Sequence, residues 1–387
     1  MNENNEKELP MNVPGNTADT SEREVETKKW YLPLFTLIAA SFALVAACVN
    51  VAYVLSPSFA DFFNLHIARY IRWFMAVLTS WLPFSVAEFL LLSSPVIAAV
   101  LITVCIRKSA RGKKYFIRCI SGLLSILLVV YGMFVFTFGS GYRTPTLDTK
   151  LGLVQNKVSA SELYDTISIV IDNLNALCDD IVFAEEKGSV RPYSHSECVR
   201  LCTESYAVLS EQYSFIPKMS APVKEIALSE YLTYTHISGI YTFFTGEANL
   251  NTNYPYFVNV YSTAHEMAHQ RGIARENEAN FIAFLVCITS DDAYMQYSGY
   301  LNMYEYLASA LYSASKELYR EALSNLDARV RYDLTCYSKF FDKYRTSKAA
   351  QVSDKVNNNY LVSQGSKEGT KSYGMVVDLA VAYYKSK

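Results

Sequence analysis

Residues 256–288 read YFVNVYSTAHEMAHQRGIARENEANFIAFLVCI, and this stretch decides the fold and the chemistry that we expect. Apolar residues recur at helical spacing up to and through an H-E-x-x-H motif at residues 265–269. Because residues four apart share one face of a helix, the imidazoles of His265 and His269 can bind a single cation. Glu266 lies one position round the helix, where it is placed to act as general base toward a metal-activated water.

A second helix is expected directly after this motif. Gly272 is placed to end the first helix in a left-handed conformation, and the next helix begins near Arg275. A catalytic zinc site needs a third protein ligand, and we favour Glu276, with Glu278 as the alternate. These two carboxylates point about 200° apart on a helix, so at most one of them binds the metal. Asn280 lies four residues after Glu276 and is expected to hydrogen-bond a metal-bound imidazole.

The HEMAH and ENEAN segments resemble the gluzincin branch of zinc metallopeptidases. In that branch the second helix carries E-x-x-A-D or E-x-x-x-D, so the resemblance implies Glu276 as a zinc ligand and Asn280 in the place of Asp. Asn can still accept a hydrogen bond but brings no charge, and the gap after His269 is short for that branch. The H-x-x-G turn looks like that of metzincins, whose third His would fall on Arg275, a side chain that does not bind zinc.

Most of residues 30–387 also resemble an uncharacterised family of bacterial membrane proteins with three N-terminal hydrophobic helices. The shared segments are TGEAN at 245–249, HEMAHQRG at 265–272 and ENEAN at 276–280. This resemblance implies a membrane-anchored peptidase. We therefore expect a mainly α fold, with N-terminal transmembrane helices and a zincin-like, predominantly helical ectodomain that contains a small β element.

Three apolar runs without charged residues are long enough to cross a bilayer, at about 31–55, 89–106 and 119–138. Between the first two, apolar residues at helical spacing predict an interfacial helix over 58–82 that lies in the membrane surface. Its other face carries the polar residues Asp61, Asn64, Arg69 and Arg72. A fourth span over 73–88 is the competing interpretation, and Pro83 and Glu88 weaken it.

The distribution of basic residues predicts the orientation. The 107–118 loop holds six Lys and Arg residues, whereas 56–85 holds only Arg69 and Arg72. Residues 1–29 are polar and are expected to form a disordered cytoplasmic tail. A membrane domain over 30–140 follows, and 141–387 is expected to be an extracytoplasmic domain of the zinc metallopeptidase type.

The remaining pattern predicts the elements of that domain. An exit linker at 139–145 leads to a helix over 161–186 with Ser161 as its N-cap, and a second helix covers 194–213. An edge strand is expected within 237–245, ending at Gly246. Later segments are expected to form helices over 294–345, a polar loop over 346–373 and a final helix over 375–384.

Two further sets of residues have open roles at this point. If the 237–245 strand pairs with an extended substrate, Glu247 and Asn249 flank the substrate cleft; otherwise Glu247 caps the helix near Tyr256. A tyrosine such as Tyr297 or Tyr300 could stabilise an oxyanion.

The most concrete functional hypothesis is a membrane-anchored zinc metallopeptidase in which zinc is the cofactor and Glu266 the general base. The partners are then the lipid bilayer and a peptide or protein substrate. The alternatives are a zinc amidase acting on cell-wall peptides, and a non-catalytic membrane sensor or assembly protein with a structural zinc site. A net charge of -2 gives no reason to expect nucleic acid as a partner.

Overall fold

The computed structural model describes residues 32–365, Gly369 and 375–387, and these are mainly helical with a small sheet. The predicted tail at 1–29 lies outside the described residues. The membrane-side helices are α1 Leu34–Leu55, α2 Pro57–Phe63, α3 Arg69–Ser80, α4 Val86–Ser109 and α5 Lys113–Thr137. The others are α6 Leu147–Leu151, α7 Ala160–Leu177, α8 His195–Gln212, α9 Ser229–Thr233, α10 Tyr256–Gln270, α11 Glu276–Thr289, α12 Ala293–Ala314, α13 Lys316–Asn325, α14 Ala328–Asp342, α15 Lys348–Ser363 and α16 Val376–Lys385.

Three of these helices, α1, α4 and α5, are long and apolar enough to cross a membrane. Helices α1 and α5 run parallel, because Thr36 contacts Ser121 near their first turns and the Tyr53 hydroxyl donates to the Val135 carbonyl near their ends. Helix α4 connects them and carries no buried residue. Three helices of alternating direction therefore place the chain after α5 at the opposite end from Leu34.

The predicted interfacial helix forms a continuous helical stretch from α2 through a π-helical turn at Asn64–Ala68 to α3. Helix α3 ends at Ser80, and the described residues contain three candidate spans, which argues against a fourth over 73–88. The polar face of this stretch does not point to water: Asn64 and Arg72 are buried against the large domain. Large apolar and aromatic side chains cover the opposite, exposed face: Phe59, Phe62, Ile67, Tyr70, Trp73, Phe74, Val77 and Leu78.

The large domain is built around α10, α11 and α12, which pack on one another and on α7. The predicted helix over 161–186 is wrong at both ends: Ser159 forms a capping box with Glu162, and α7 ends at Leu177. Instead of continuing as a helix, the chain after α7 forms a short hairpin of β1 Phe183–Ala184 and β2 Gly188–Ser189. The polar loop predicted over 346–373 contains helix α15, and residues 366–368 and 370–374 lie outside the described chain.

A three-stranded sheet covers one side of α10. It consists of β3 Val223–Glu225, β4 Gly239–Thr242 and β5 Glu247–Leu250 in the order β3-β5-β4, with β4 antiparallel to β5. Strand β4 therefore lies at an edge, as the sequence predicts for 237–245. Gly246 follows with a positive φ of 72° in the turn to β5, where a Cβ would come within 2.7 Å of the backbone nitrogen of Ala76. The sheet thus meets the interfacial helix directly.

Glu247 has neither of its predicted roles. Its carboxylate pairs with Lys224 at 2.6 Å and accepts hydrogen bonds from the backbone nitrogens of Val86 and Ala87, which begin α4. An anion is favoured at the N-terminus of a helix, where free N–H groups point outward. Glu247 is therefore a buried cap of the second membrane helix rather than a cleft residue or a cap of α10. Asn249 lies in the sheet and donates to the Ile240 carbonyl.

Replacing Glu247 with Gln is expected to lower the free energy of unfolding by about 2–3 kcal/mol, because Lys224 loses a buried charge partner. Thermal unfolding in detergent measures this effect. The matched control is Glu225→Gln, since Glu225 is an exposed acid beside Lys224 and its loss should leave the transition unchanged. Equal transitions for both variants would show that the ion pair does not hold α4 to the domain.

Candidate metal centre

The two motif helices meet at a tight glycine turn. Gly272 has a φ of 89°, and the Ile273 N–H donates to the Ala268 carbonyl at 3.2 Å, so α10 ends in the left-handed cap that the sequence predicts. Helix α11 starts at Glu276, four residues after the glycine. The short connection turns α11 back toward the last turn of α10, and this places Glu276 beside the motif histidines.

His265, His269 and Glu276 converge on one point. One oxygen of Glu276, Oε2, lies 3.3 Å from His265 Nε2 and 3.6 Å from His269 Nε2. One ligand atom from each residue lies within 4.8 Å of the other two, so this group could hold a metal ion. The two imidazole rings are nearly perpendicular, with centroids 4.6 Å apart. The structure thus brings together the two histidines and the favoured third residue of the predicted site.

The backbone fixes the orientation of His269. Its Nδ1 lies 2.8 Å from the Ile273 carbonyl oxygen, which can only accept, so Nδ1 carries a proton and Nε2 is the nitrogen left to bind a metal. The prediction that Asn280 holds a metal-bound imidazole is not met. The backbone carbonyl of Asn280 accepts a hydrogen bond from the Tyr261 hydroxyl, and the side-chain Nδ2 of Asn280 has no partner among the described residues.

The electrostatics of the group favour a positive charge at this point. Burial disfavours the protonated form of His269, but the charge of Glu276 outweighs it and raises the pKa of His269 to about 9. Burial would raise the pKa of Glu276, but the neighbouring imidazoles hold the pKa of that carboxyl well below its usual range. A carboxylate and two imidazoles that stabilise positive charge between them are well suited to bind a cation.

Glu266 lies beside this group in a confined space. Its side chain is buried, and Oε2 has no hydrogen-bond partner among the described residues. Strand β4 crosses above it, since a Cβ on Gly239 would lie 2.5 Å from Glu266 Oε1. Burial raises the pKa of Glu266 to about 7, and the charge of Glu276 adds to the effect while the imidazoles oppose it. A pKa near neutrality suits a group that both takes and gives a proton.

The alternate ligand, Glu278, has a different role. Its Oε1 accepts from Arg275 at 2.7 Å and from the backbone nitrogen of Leu147 at 3.0 Å. Arg275 also donates to the carbonyls of Tyr142 and Thr144, so the Arg275–Glu278 pair attaches the segment after α5 to the start of α11. The predicted exit linker at 139–145 is therefore packed against the site. It includes a buried 3₁₀ turn at Gly139–Tyr142.

A comparison of Glu276→Ala with Glu278→Ala should separate the two carboxylates. Glu276→Ala is expected to weaken metal binding by more than the roughly 10–100-fold that loss of an outer hydrogen bond causes. Glu278→Ala should keep the metal and lower the unfolding temperature, because the Leu147 N–H and Arg275 lose their acceptor. Metal titration and thermal unfolding of each purified full-length variant provide both readouts. Loss of metal from the Glu278 variant alone would reverse the assignment.

The tyrosines near the metal group are not those named from the sequence. The Tyr297 hydroxyl donates to Asp333 in the core, and the Tyr300 ring packs on Phe284. Tyr306 and Tyr360 lie within the electrostatic influence of Glu276. Burial is the main cause that raises the pKa of each; the charges of Glu305 and Glu276 add to it for Tyr306, and the charge of Glu276 adds to it for Tyr360. Tyr306 lies on the core-facing stripe of α12, so the sequence pattern alone does not distinguish it from a packing residue.

Membrane-side residues form the base and one wall of the centre. The Arg72 guanidinium donates to the carbonyls of Gln270 and Arg271 at the end of α10, and to the carbonyl of Thr137 at the end of α5. The ring of Phe138, the residue after α5, lies 5.8 Å from the His269 ring. Sequence reasoning grouped Arg72 with Asp61, Asn64 and Arg69 on the polar face of the interfacial helix and missed this contact.

Residues 63–381 match a family described as "protein of unknown function (DUF3810)". The chain belongs to this family. The matched segment contains α3 with Arg72, the long apolar helices α4 and α5, and the whole candidate metal group, so the family unit joins these helices to the site. No curated protein and no solved structure matches the chain.

Proposed function

We propose that this protein is a membrane-anchored zinc metallopeptidase. The observation that carries the proposal is the convergence of His265, His269 and Glu276 beside the buried carboxylate of Glu266. One oxygen of that carboxylate, Oε2, has no hydrogen-bond partner among the described residues. Two imidazoles and one carboxylate are the donor set of catalytic zinc sites that leave one position open for water or substrate. The arrangement of an H-E-x-x-H helix beneath an edge strand, followed by a helix that supplies a carboxylate, supports a zincin-like fold for the domain.

The residues fit a zinc ion on grounds of donor chemistry and burial. His269 presents Nε2 while its other nitrogen donates to a carbonyl, which is the common orientation of a metal-binding imidazole. The described residues place three side-chain ligands in the group, which leaves a coordination position. Zinc bound there supplies Lewis acidity, polarising the scissile carbonyl and acidifying water.

Residues of the chain itself transfer the proton and hold the substrate. Glu266 accepts the proton of the attacking water and returns it to the leaving amine, a role for which a pKa of about 7 is suited. Gly239 lets strand β4 lie directly against that carboxylate, since a Cβ there would come within 2.5 Å of Glu266 Oε1. The exposed edge of β4 can pair with an extended peptide and hold its scissile bond over Glu266.

Metal analysis of the purified full-length protein tests the proposal. The wild type is expected to bind close to one zinc per chain and to hydrolyse peptides, whereas His265→Ala should lose both properties. His195→Ala is a matched control, since the His195 ring contacts the Val223 carbonyl away from the centre. A wild-type protein that holds no divalent metal, or one that turns over peptides equally well after His265→Ala, would overturn the proposal.

Tyr306 is expected to stabilise the negative charge that develops on the substrate carbonyl oxygen. Tyr306→Phe should lower kcat by roughly 10²-fold, with KM and metal content little changed, because loss of one oxyanion donor has an effect of that order. Tyr300→Phe on the same helix is the control, and it should leave kcat unchanged. If the two variants have the same kcat, Tyr306 serves packing only.

The proposed location is the cell membrane, with the domain on the extracytoplasmic side. The support is the parallel course of α1 and α5 together with the six basic residues of the 107–118 loop, which favour a cytoplasmic position for that loop. Three spans then carry the chain after α5 across the membrane.

A further inference from the structure

The candidate metal centre lies just outside the level where the apolar helices would leave the hydrocarbon. Phe138 follows Arg118, the last charged residue before it, by twenty residues, which is about 30 Å of helix and matches the thickness of a bilayer core. Phe138 is also the residue whose ring packs against His269. Helix α4 indicates a boundary at a similar level, because Glu88, near the end of α4 next to the large domain, accepts hydrogen bonds from the backbone nitrogens of Ala227 and Leu228.

The interfacial helix indicates that the hydrocarbon boundary lies next to the end of α10. Its exposed face carries Tyr70, Trp73 and Phe74, the kinds of side chain that favour the edge of a bilayer. From the opposite face, Arg72 binds the last carbonyls of α10, and Asn64 donates to the Gly272 carbonyl at 3.2 Å. The metal-binding helix therefore ends on a helix whose other face is suited to lie in lipid.

Strand β4 runs from the catalytic carboxylate toward this boundary. Gly239 lies over Glu266, and the Tyr241 ring lies near the His269 ring at 6.5 Å. Phe243, just past the strand, packs on Phe134 of α5, one helical turn before the hydrocarbon boundary. Phe243 comes four positions after Gly239 in the sequence, which corresponds to about 13 Å of extended chain. Ile240, between them, is 42% exposed.

We propose that the substrate is a membrane-anchored polypeptide, cut about four residues outside the hydrocarbon boundary. This inference rests on the peptidase function proposed above and names its substrate class. A chain that pairs with β4 has one end over Glu266 and the other at Phe243, so the latter end enters the bilayer beside α5. The distance from the anchor then selects the scissile bond, and the side chains around the bond matter less.

A spacer series tests this distance. Each substrate has one transmembrane helix followed by a uniform flexible sequence, and is reconstituted with the full-length protein in the same vesicles. Mass spectrometry of the released fragment should place the cut about four residues from the end of the apolar segment. Inserting four residues next to the anchor should move the cut along the sequence and keep its distance from the membrane. The same sequence without an anchor should be cut at least 10-fold more slowly.

Binding supplies a readout that is independent of turnover. In the Glu266→Gln protein, a photoactivatable amino acid in place of Ile240 should cross-link the anchored peptide through the spacer residues next to the scissile bond. The unanchored peptide at the same concentration should cross-link at least 10-fold less.

The outcomes separate this inference from the function on which it rests. Equal cleavage of anchored and free peptides, or a cut that stays at one sequence whatever the spacer, overturns the membrane-anchored substrate class and leaves a peptidase. A metal-loaded protein that cuts no peptide in any form overturns the peptidase function and the substrate class together.

Discussion

Replacing Glu266 with Gln is expected to lower peptide hydrolysis by roughly 10²–10⁴-fold, because the group that takes the proton from water is lost. The amide is nearly the same size as the carboxylate, so the fit beneath Gly239 stays intact. Zinc content should not change, since Glu266 is not one of the three ligating residues. Turnover of a fluorogenic peptide, together with metal analysis of the same sample, measures both quantities.

Two results would count against this role for Glu266. Retained turnover in the Gln variant would show that another group takes the proton. A simultaneous loss of zinc would show that Glu266 binds the metal, and His265 or Glu276 would then need another role. Glu278→Gln is a useful control, because it changes a nearby carboxylate that the structure assigns to Arg275 and Leu147.

Replacing Arg72 with Met is expected to lower the free energy of unfolding by about 3–4 kcal/mol, since buried carbonyls lose their donor. The affected carbonyls include those of Gln270, Arg271 and Thr137. Burial lowers the pKa of Arg72 to about 10, so the guanidinium remains charged at neutral pH and suits the negative end of α10. Thermal unfolding in detergent should show a transition lower by roughly 10 °C.

Metal affinity should fall together with stability in the Arg72 variant, because the end of α10 carries His269 and is no longer held in place. Arg69→Met is the matched control: Arg69 lies one turn earlier on the same helix and contacts the neighbouring Tyr70. An Arg72 variant that unfolds at the wild-type temperature and binds zinc equally well would show that the membrane helix does not support the centre.

Sequence patterns predicted those parts of the site that depend on short-range geometry. The spacing of His265 and His269 places them on one helical face, and Gly272 ends that helix as expected. Glu276 was favoured over Glu278, and their different directions on one helix allowed at most one of them to bind a metal, but which one it is remained open. Both carboxylates begin the same helix, and only the packing of α11 against α10 and against the chain near Leu147 separates them.

The roles that sequence reasoning assigned incorrectly belong to residues whose partners are far along the chain. Glu247 binds the start of α4 about 160 residues earlier, and the charge of Glu276 acts on Tyr306, thirty residues later on the next helix. Asn280 was expected to hold an imidazole, but the Ile273 carbonyl accepts the hydrogen bond from His269 Nδ1. Periodicity does not reveal such contacts, because it reports which face a residue occupies and not what lies opposite.

The amino-acid sequence by itself determined the three apolar spans, the mainly helical class and the helix that carries the paired histidines, because these follow from local hydropathy and helical spacing. Tertiary structure alone decided that Glu276 meets both imidazoles, that Glu247 caps a membrane helix and that Arg72 joins the ends of α5 and α10. Each of these contacts links segments far apart in sequence, and burial requires every polar group among them to find a partner that only the folded chain supplies.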